Sequence, residues 1–231
     1  MVKTMFGGNN IDELLSKLEN DDDTSLFIFN LIKELYDELD ITKKCPICEN
    51  EFSSFLPFNG EIIKCPYCNS VPRQRLFYLF FKNKTSIFRK NCKVLIFNPE
   101  YPIYSAFKQN NKIDLTSVSC RFDNSSLIDN QVNIEKLHYK NNFFDLIYID
   151  NKIKNRLNSF KASKELYRVI KPHSRGGLLV LRSPALDNLT KDSLELAGFT
   201  ISEYSYKQLL NDNEIKECCT KTDSKVYVCK K

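Results

Sequence analysis

The spacing of apolar residues predicts helices in the first third of the chain. In residues 11–39, side chains such as Leu31 and Leu35 recur at helical spacing, so we expect two helices there. Residues 73–84, RQRLFYLFFKNK, predict one buried helix that begins after Pro72. A cysteine-containing segment is expected to separate these helical regions.

Short apolar runs replace the helical period after about residue 93. They predict strands at 94–97, 143–149 and 176–184, with weaker strands around 112–115, 199–206 and 225–229. Helices are expected over 158–171 and over 186–199, where Gly198 stops the second. Buried strands that alternate with helices predict a parallel sheet with right-handed crossovers. Ligands of such sheets bind outside the carboxyl ends of the strands, here expected after Phe97, Leu115 and Ile149.

Two pairs of cysteines carry the most specific chemical signal. Each pair has C-x2-C spacing, in CPIC and CPYC, and sixteen residues separate the pairs; the four are Cys45, Cys48, Cys65 and Cys68. Four thiolates suit a tetrahedral zinc ion and leave no position for water, so the expected zinc is structural. The alternative is a thioredoxin-type redox pair. Two such pairs, both with proline after the first cysteine and without a βαβ context, favour zinc.

Length and composition exclude several classes of protein. The chain has 231 residues, 42% of them hydrophobic, which is enough for one ordinary domain and a small module but untypical of disorder. No apolar run approaches the roughly 18 residues that span a bilayer. Nine cysteines without an export signal indicate a reducing compartment, so we expect an intracellular, cytoplasmic protein. The five further cysteines are expected to be free thiols: Cys92, Cys120, Cys218, Cys219 and Cys229.

The net charge of +5 leaves the question of nucleic acid open. Charges of both signs are interspersed over most of the chain, which is typical of a solvated surface. A local basic excess follows the cysteine segment, at Lys82, Lys84, Arg89, Lys90 and Lys93. That stretch is equally compatible with phosphate contacts and with simple solubility.

Taken in order, the motifs resemble one known family. The order CPIC, FLPF, CPYCNSVPRQRL, VLIFNPE, FFDLIYID, ELYRVIKP and GGLLVL is similar to class I S-adenosylmethionine-dependent methyltransferases with an N-terminal zinc ribbon. The resemblance covers about residues 44–230. It implies an α/β, Rossmann-like sheet with helices on both faces, preceded by the ribbon and N-terminal helices. The expected parts are a helical segment at 1–42, the zinc ribbon at 43–72 and the methyltransferase-like domain at 73–231.

The resemblance also implies where S-adenosylmethionine would bind. The loop after the first strand would lie under the methionine part of the cofactor, and Asp114, at the end of the second strand, would accept hydrogen bonds from the ribose hydroxyls. Asn133 and Ile134 fall near the adenine amine, in place of the usual Asp-Ile. Asp150 stands at the tip of the fourth strand. The remaining implied cofactor residues are Phe97, Asn98, Pro99 and Glu100.

Several departures from the family keep more than one function open. The usual N-H-V-L-E-H segment after the fourth strand is replaced by residues 150–155, DNKIKN, and no catalytic residue is identified. His173 is either a general base or an inert surface residue. One hypothesis is an active methyltransferase of unknown acceptor, with nucleic acid docking on the ribbon, Arg73, Arg75 and the basic stretch. The second is an inactive, zinc-binding scaffold or nucleic-acid-binding protein, and the third a zinc ribbon beside an unrelated α/β domain.

Overall fold

The computed structural model describes residues 43–59, 61–120, 125–149, 158–182, 189–218 and 225–231. The chain forms two compact units, of which the first ends at Val71 and the second begins at Pro72. The helices expected within residues 1–42 lie outside the described residues. The predicted domain boundaries therefore stay a prediction.

Two short antiparallel strand pairs build the described part of the first unit. They are β1 (Lys43–Lys44) with β2 (Glu51–Phe52), and β3 (Leu56–Phe58) with β4 (Glu61–Lys64). Phe52 packs edge-on against Phe55, with ring centroids 4.9 Å apart, and also contacts Tyr67. These three rings form a small apolar cluster in the described part of the unit.

A seven-stranded sheet forms the centre of the second unit. Its strands lie in the order β10-β11-β9-β8-β5-β6-β7. The strands are β5 (Cys92–Phe97), β6 (Ile113–Ser119), β7 (Asn130–Gln131), β8 (Leu146–Ile149), β9 (Leu178–Arg182), β10 (Thr200–Ser205) and β11 (Lys225–Lys230). β5, β6, β7, β8 and β9 pair in parallel, whereas β11 is antiparallel to both of its neighbours.

Helices connect these strands and cover the sheet. They are α1 (Pro72–Leu79), α2 (Tyr101–Lys108), α3 (Ser159–Val169), α4 (Lys191–Leu196), α5 (Tyr206–Leu209) and α6 (Asp212–Cys218). α1 runs directly into one turn of π-helix at Phe80–Lys84, and a 3-10 turn spans His173–Arg175. The expectation of a Rossmann-like α/β sheet is confirmed by the strand order itself.

Alternate residues of the central strands pack against two different sets of helices. On one face, Leu95 and Ile147 belong to a fully buried core with Leu166 of α3 and Leu194 of α4. On the opposite face, the ring of Tyr148 lies 5.1 Å from Phe77 and 5.3 Å from Phe81, and Phe81 contacts Phe107 of α2; we call these four rings the aromatic cluster. The helices expected on both faces of the sheet are therefore present.

Asp145 joins neighbouring segments at the amino ends of the parallel strands. It lies immediately before β8 and is 5% exposed. Its carboxylate accepts from the backbone N–H of Lys93 at 2.9 Å, and both of its oxygens accept from Lys171 Nζ at 2.8 Å. Gly177 supports the same edge, because a Cβ there would overlap the Lys171 carbonyl oxygen. The edge is thus closed by one ion pair and one close backbone contact.

The structure corrects the sequence prediction at three elements. The buried helix expected over 73–84 is an α-helix only to Leu79 and continues as the π-turn. The second strand, expected at 112–115, extends to Ser119. The final strand, β11, is antiparallel and inserts between β9 and β10, so the sheet is mostly rather than wholly parallel.

Candidate functional site

The first candidate site is a cluster of four thiols in the first unit. The Sγ atoms of Cys45 and Cys68 lie 3.7 Å apart, as do those of Cys48 and Cys65, and all four lie within 4.8 Å of one another. Four sulfurs at about 2.3 Å from one tetrahedral zinc ion would be separated by about 3.8 Å. The spacing therefore fits a single zinc ion, and the predicted clustering of the four cysteines is confirmed.

Both cysteine pairs lie in the same kind of turn. In the first, the Glu49 N–H donates to the Cys45 carbonyl and Glu49 has a φ of 60°. In the second, the Asn69 N–H donates to the Cys65 carbonyl, and its φ is 58°. Each turn thereby aims two sulfurs at one point, and the two turns meet with the sulfurs between them.

Ser70 is a member of this cluster that the spacing of cysteines did not reveal. It is fully buried, and its Oγ lies 3.2 Å from Cys68 Sγ and 3.4 Å from Cys45 Sγ. A hydroxyl in that position can donate to a metal-bound thiolate and orient it. The sequence signal that could have revealed Ser70 is its position two residues after Cys68.

The four thiols shift one another's pKa values. Hydrogen bonds from Cys45, Cys65 and Cys68 lower the pKa of the Cys48 thiol below its usual range. The contact with Cys45 is the largest of those that raise the pKa of Cys65. The thiolate is the form of cysteine that binds a metal, so the lowered pKa favours Cys48 as a metal ligand.

The second candidate site is the carboxyl edge of the sheet, where β5 ends. Here the strand order reverses, because β6 lies on one side of β5 and β8 on the other. Asn98 follows the strand with a φ of 48°, a left-handed conformation that asparagine tolerates better than most residues. Its N–H donates to the Val118 carbonyl at 2.8 Å, which joins the end of β5 to β6. The left-handed φ of Asn98 then turns the chain toward α2. Phe97, the last residue of β5, is buried in the core.

Glu100 is a charged residue at this edge, and two side chains of α1 donate hydrogen bonds to its carboxylate. Arg73 Nη2 donates to both carboxylate oxygens, at 2.6 and 2.7 Å, and Gln74 Nε2 donates to Oε2. The Arg73 and Glu100 side chains are 29% and 24% exposed, so both remain reachable from solvent. Pro99 separates Glu100 from the Asn98 turn. We call Asn98, Pro99, Glu100 and Arg73 the β5 edge site.

Asp114 is not where the sequence analysis placed it. The longer β6 makes Asp114 its second residue, opposite Lys93 at the amino end of β5. Lys93 Nζ donates to Asp114 at 2.6 Å, and the Asp114 side chain is 65% exposed. The expectation that Asp114 ends the second strand is therefore wrong, because β6 continues well beyond it toward the carboxyl edge. β6 ends instead at Ser119, followed by Cys120.

Two of the remaining residues implied by the resemblance, Ile134 and Asn133, lie within the described part of the chain. Ile134 is buried in the core. Asn133 uses its Oδ1 to accept the Glu135 N–H at 2.9 Å, in a local turn. Asp150 lies outside the described residues. Arg75 is fully buried, which removes it from the expected nucleic-acid docking face.

Across the described segments, no helix combines the length and the apolar character that a membrane span requires. No family model matches the chain, and no curated protein is similar to it in sequence.

Several solved structures resemble the chain at low sequence identity. The [4+2]-cyclase SpnF is 16% identical over 68% of this chain and 81% of its own, with a TM-score of 0.48. A TehB-like SAM-dependent methyltransferase from Corynebacterium glutamicum is 14% identical over 69% and 87%, with a TM-score of 0.47. An S-adenosylmethionine-dependent methyltransferase from Mesorhizobium loti is 10% identical over 62% and 92%, with a TM-score of 0.42.

Proposed function

We propose that the chain is an S-adenosylmethionine-dependent methyltransferase with a structural zinc ion in its first unit. The observation that supports this proposal most directly is the Arg73–Glu100 ion pair beside the left-handed turn at Asn98. It lies at the carboxyl edge where the strand order reverses, which is where open α/β sheets bind their ligands. The zinc ion would be held by the four-cysteine cluster and would stabilise the ribbon without taking part in chemistry.

The chemistry of the β5 edge site fits the amino-acid end of the cofactor. That end carries an ammonium group and a carboxylate close together. Glu100 can accept from an ammonium group, and the Arg73 guanidinium can donate to a carboxylate. An Arg–Glu pair that is already formed and partly exposed is therefore a complementary partner for a zwitterion.

The fit is weaker toward the ribose. Within the described residues, no carboxylate ends β6, since Ser119 and Cys120 follow each other there and Asp114 lies at the other edge. A hydroxyl is a poorer acceptor for two ribose hydroxyls than a carboxylate, whose hydrogen bonds are charge-assisted. We therefore expect cofactor affinity to depend heavily on Arg73 and Glu100.

The protein contributes to methyl transfer mainly by positioning. When bound, the cofactor supplies an activated methyl group on a sulfonium. Asn98 turns the backbone away so that α2 can begin, and Pro99 fixes the chain that carries Glu100. Holding two reactants in line can supply several kcal/mol of the barrier without a general base. A site without a dedicated general base is compatible with this chemistry.

The methyl acceptor is proposed at the level of class only. Lys43 and Lys44 are exposed on the ribbon, although Lys44 is paired with Glu51 at 3.3 Å. Exposed cations on a zinc ribbon are suited to phosphates, so nucleic acid is the acceptor class that we favour. Arg75 takes no part, because it is buried.

A second candidate function is a zinc-binding scaffold that has lost catalysis. The position of Asp114 favours it, because the residue expected to hold the ribose is instead paired with Lys93 at the amino edge. In that case Glu100 and Arg73 form a purely structural ion pair between α1 and the start of α2.

A pair of variants distinguishes these two functions. We expect Arg73→Gln to weaken S-adenosylhomocysteine binding to zinc-replete protein about tenfold, the value of one charge-assisted hydrogen bond. Lys108→Gln, on the exposed last turn of α2, is the matched control and should leave binding unchanged. Binding that Arg73→Gln does not alter would refute the residue assignment. If the unaltered protein does not bind the ligand at all, the scaffold function replaces the methyltransferase.

A further inference from the structure

A cavity lies against the sheet at β9, β10 and β11, and part of its lining reaches the amino edge of the parallel strands; none of its lining residues belongs to the β5 edge site. It has a volume of about 450 Å³, and Leu178, Val228 and Lys230 are among the sheet residues that line it. Leu178 begins β9, and Lys230 ends the antiparallel β11, so both mark the amino edge. Val228 and Tyr148 both pair with Val180, which places the cavity on the face that carries the aromatic cluster.

The charged side chains that line this cavity are both cations. Lys84, at the end of the π-turn, and Lys230, at the end of β11, line it beside His173 of the 3-10 turn, and none of the described aspartates or glutamates does. Lys90 extends the basic lining at the rim, because a Cβ on the cavity residue Gly176 would lie 2.5 Å from Lys90 Nζ. A concave surface that is lined by positive charges and no negative ones raises the local concentration of anions.

Two of these cations, Lys84 and Lys230, lack an ion-pair partner within the described part of the chain. Among the described residues, no carboxylate forms an ion pair with Lys84 or with Lys230. Other lysines of the unit do have such partners: Lys93 pairs with Asp114, and Lys171 with Asp145. The cavity therefore keeps its charge available for a ligand.

The wall that carries Lys84 is a fixed structure. The π-turn ends at Thr85, whose Oγ1 donates to the Phe81 carbonyl at 2.6 Å. Arg89 Nη2 donates to the Thr85 carbonyl at 2.8 Å, which closes the following turn. The π-turn ends the helix and carries both Phe80 and Lys84, so an apolar and a cationic residue of one turn line the same cavity.

We propose that this cavity binds a small molecule with a phosphate monoester and an apolar or aromatic body. A phosphate monoester carries a charge of about −1.5 to −2 near pH 7 and three acceptor oxygens, which suits a cavity lined by two lysines, a histidine and several hydroxyls. The hydroxyls are those of Thr85, Ser86 and Tyr204. The ligand body would lie on Phe80 and Leu209. The inference does not depend on the proposed methyltransferase function.

Phenyl phosphate tests the proposal, because it combines a phosphate monoester with an aromatic ring. The probe is titrated into zinc-replete, full-length protein, and backbone amide shifts are recorded by NMR. We expect saturable shifts at Gly176, Leu178 and Val228, whereas benzyl alcohol gives none at the same concentrations. The double variant Lys84→Gln, Lys230→Gln should weaken phenyl phosphate binding at least tenfold.

Two further variants keep the outcome unambiguous. Ser86 is exposed at the cavity, and Ser86→Trp should block probe binding while the amide spectrum of the sheet is preserved. Lys108→Gln removes one positive charge elsewhere and should leave binding unchanged. The proposal is overturned if phenyl phosphate produces no saturable shifts, or if the double variant binds it as well as the Lys108→Gln control does.

Discussion

Replacing Asp145 tests how the amino edge of the sheet is held. The carboxylate serves two different partners: the Lys93 N–H, and the Lys171 ammonium, whose side chain is 30% exposed. Asp145→Ala removes both interactions. Asp145→Asn keeps an oxygen for the Lys93 N–H and removes only the ion pair. The two variants therefore separate the hydrogen bond from the charge.

The expected losses follow from burial. An unpaired buried N–H costs about 1 kcal/mol. A buried ion pair is worth about 3–5 kcal/mol when it is broken, but solvent reaches Lys171, so about 1–2 kcal/mol is the better value. We expect Asp145→Ala to lower the free energy of unfolding by about 2–3 kcal/mol, and Asp145→Asn by about 1–2 kcal/mol.

Urea unfolding of zinc-replete protein measures these losses. The chain contains no tryptophan, so far-ultraviolet circular dichroism is the suitable signal. Glu195→Gln, on the exposed side of α4, is the control and should stay within about 0.5 kcal/mol of the unaltered protein. Equal losses for the alanine and asparagine variants, or losses no larger than that of the control, would refute the account of this edge.

Three further predictions concern the metal and the pH dependence of stability. Purified protein should contain one zinc ion per chain by elemental analysis; Cys45→Ser should lose it, while Cys120→Ser retains it. Ser70→Ala should weaken zinc binding about 10–100-fold in a competition titration with a chelator, as the loss of an outer-shell partner does. The hydrogen bond from Arg168 lowers the pKa of Glu165, so its stabilisation is present above the ordinary glutamate range and is lost as pH falls through the lowered value. Glu165→Gln should thus be less stable than the unaltered protein at pH 7, with the difference shrinking below about pH 4 in acid unfolding curves.

Much of the architecture could be predicted from local sequence. The strands β5, β8 and β9 each contain an unbroken run of four apolar residues, because both faces of a central parallel strand are buried. Runs of this length are too short for a buried helix, so their length alone favours strands. The cysteine cluster was equally accessible, since its chemistry depends on spacing within two short turns.

The second strand could not be predicted in full, for a specific reason. Its carboxyl half contains Ser117 and Ser119, which are typical of loops although both are buried here. The Ser117 hydroxyl and N–H each pair with Asp129 at 2.7 Å, a partner twelve residues away that no local pattern reveals. The shortened strand then placed Asp114 at the wrong edge. The pairing of Arg73 with Glu100 was missed similarly, because it joins α1 to the loop after β5.

Calorimetric titration of S-adenosylmethionine into zinc-replete protein, with S-adenosylhomocysteine in parallel, tests the central claim most directly. We expect both ligands to bind with one site per chain and a dissociation constant near the micromolar range, about −8 kcal/mol. Absence of heat from both ligands, in protein whose zinc content and circular dichroism are intact, would contradict the methyltransferase function and leave the zinc-binding scaffold in its place.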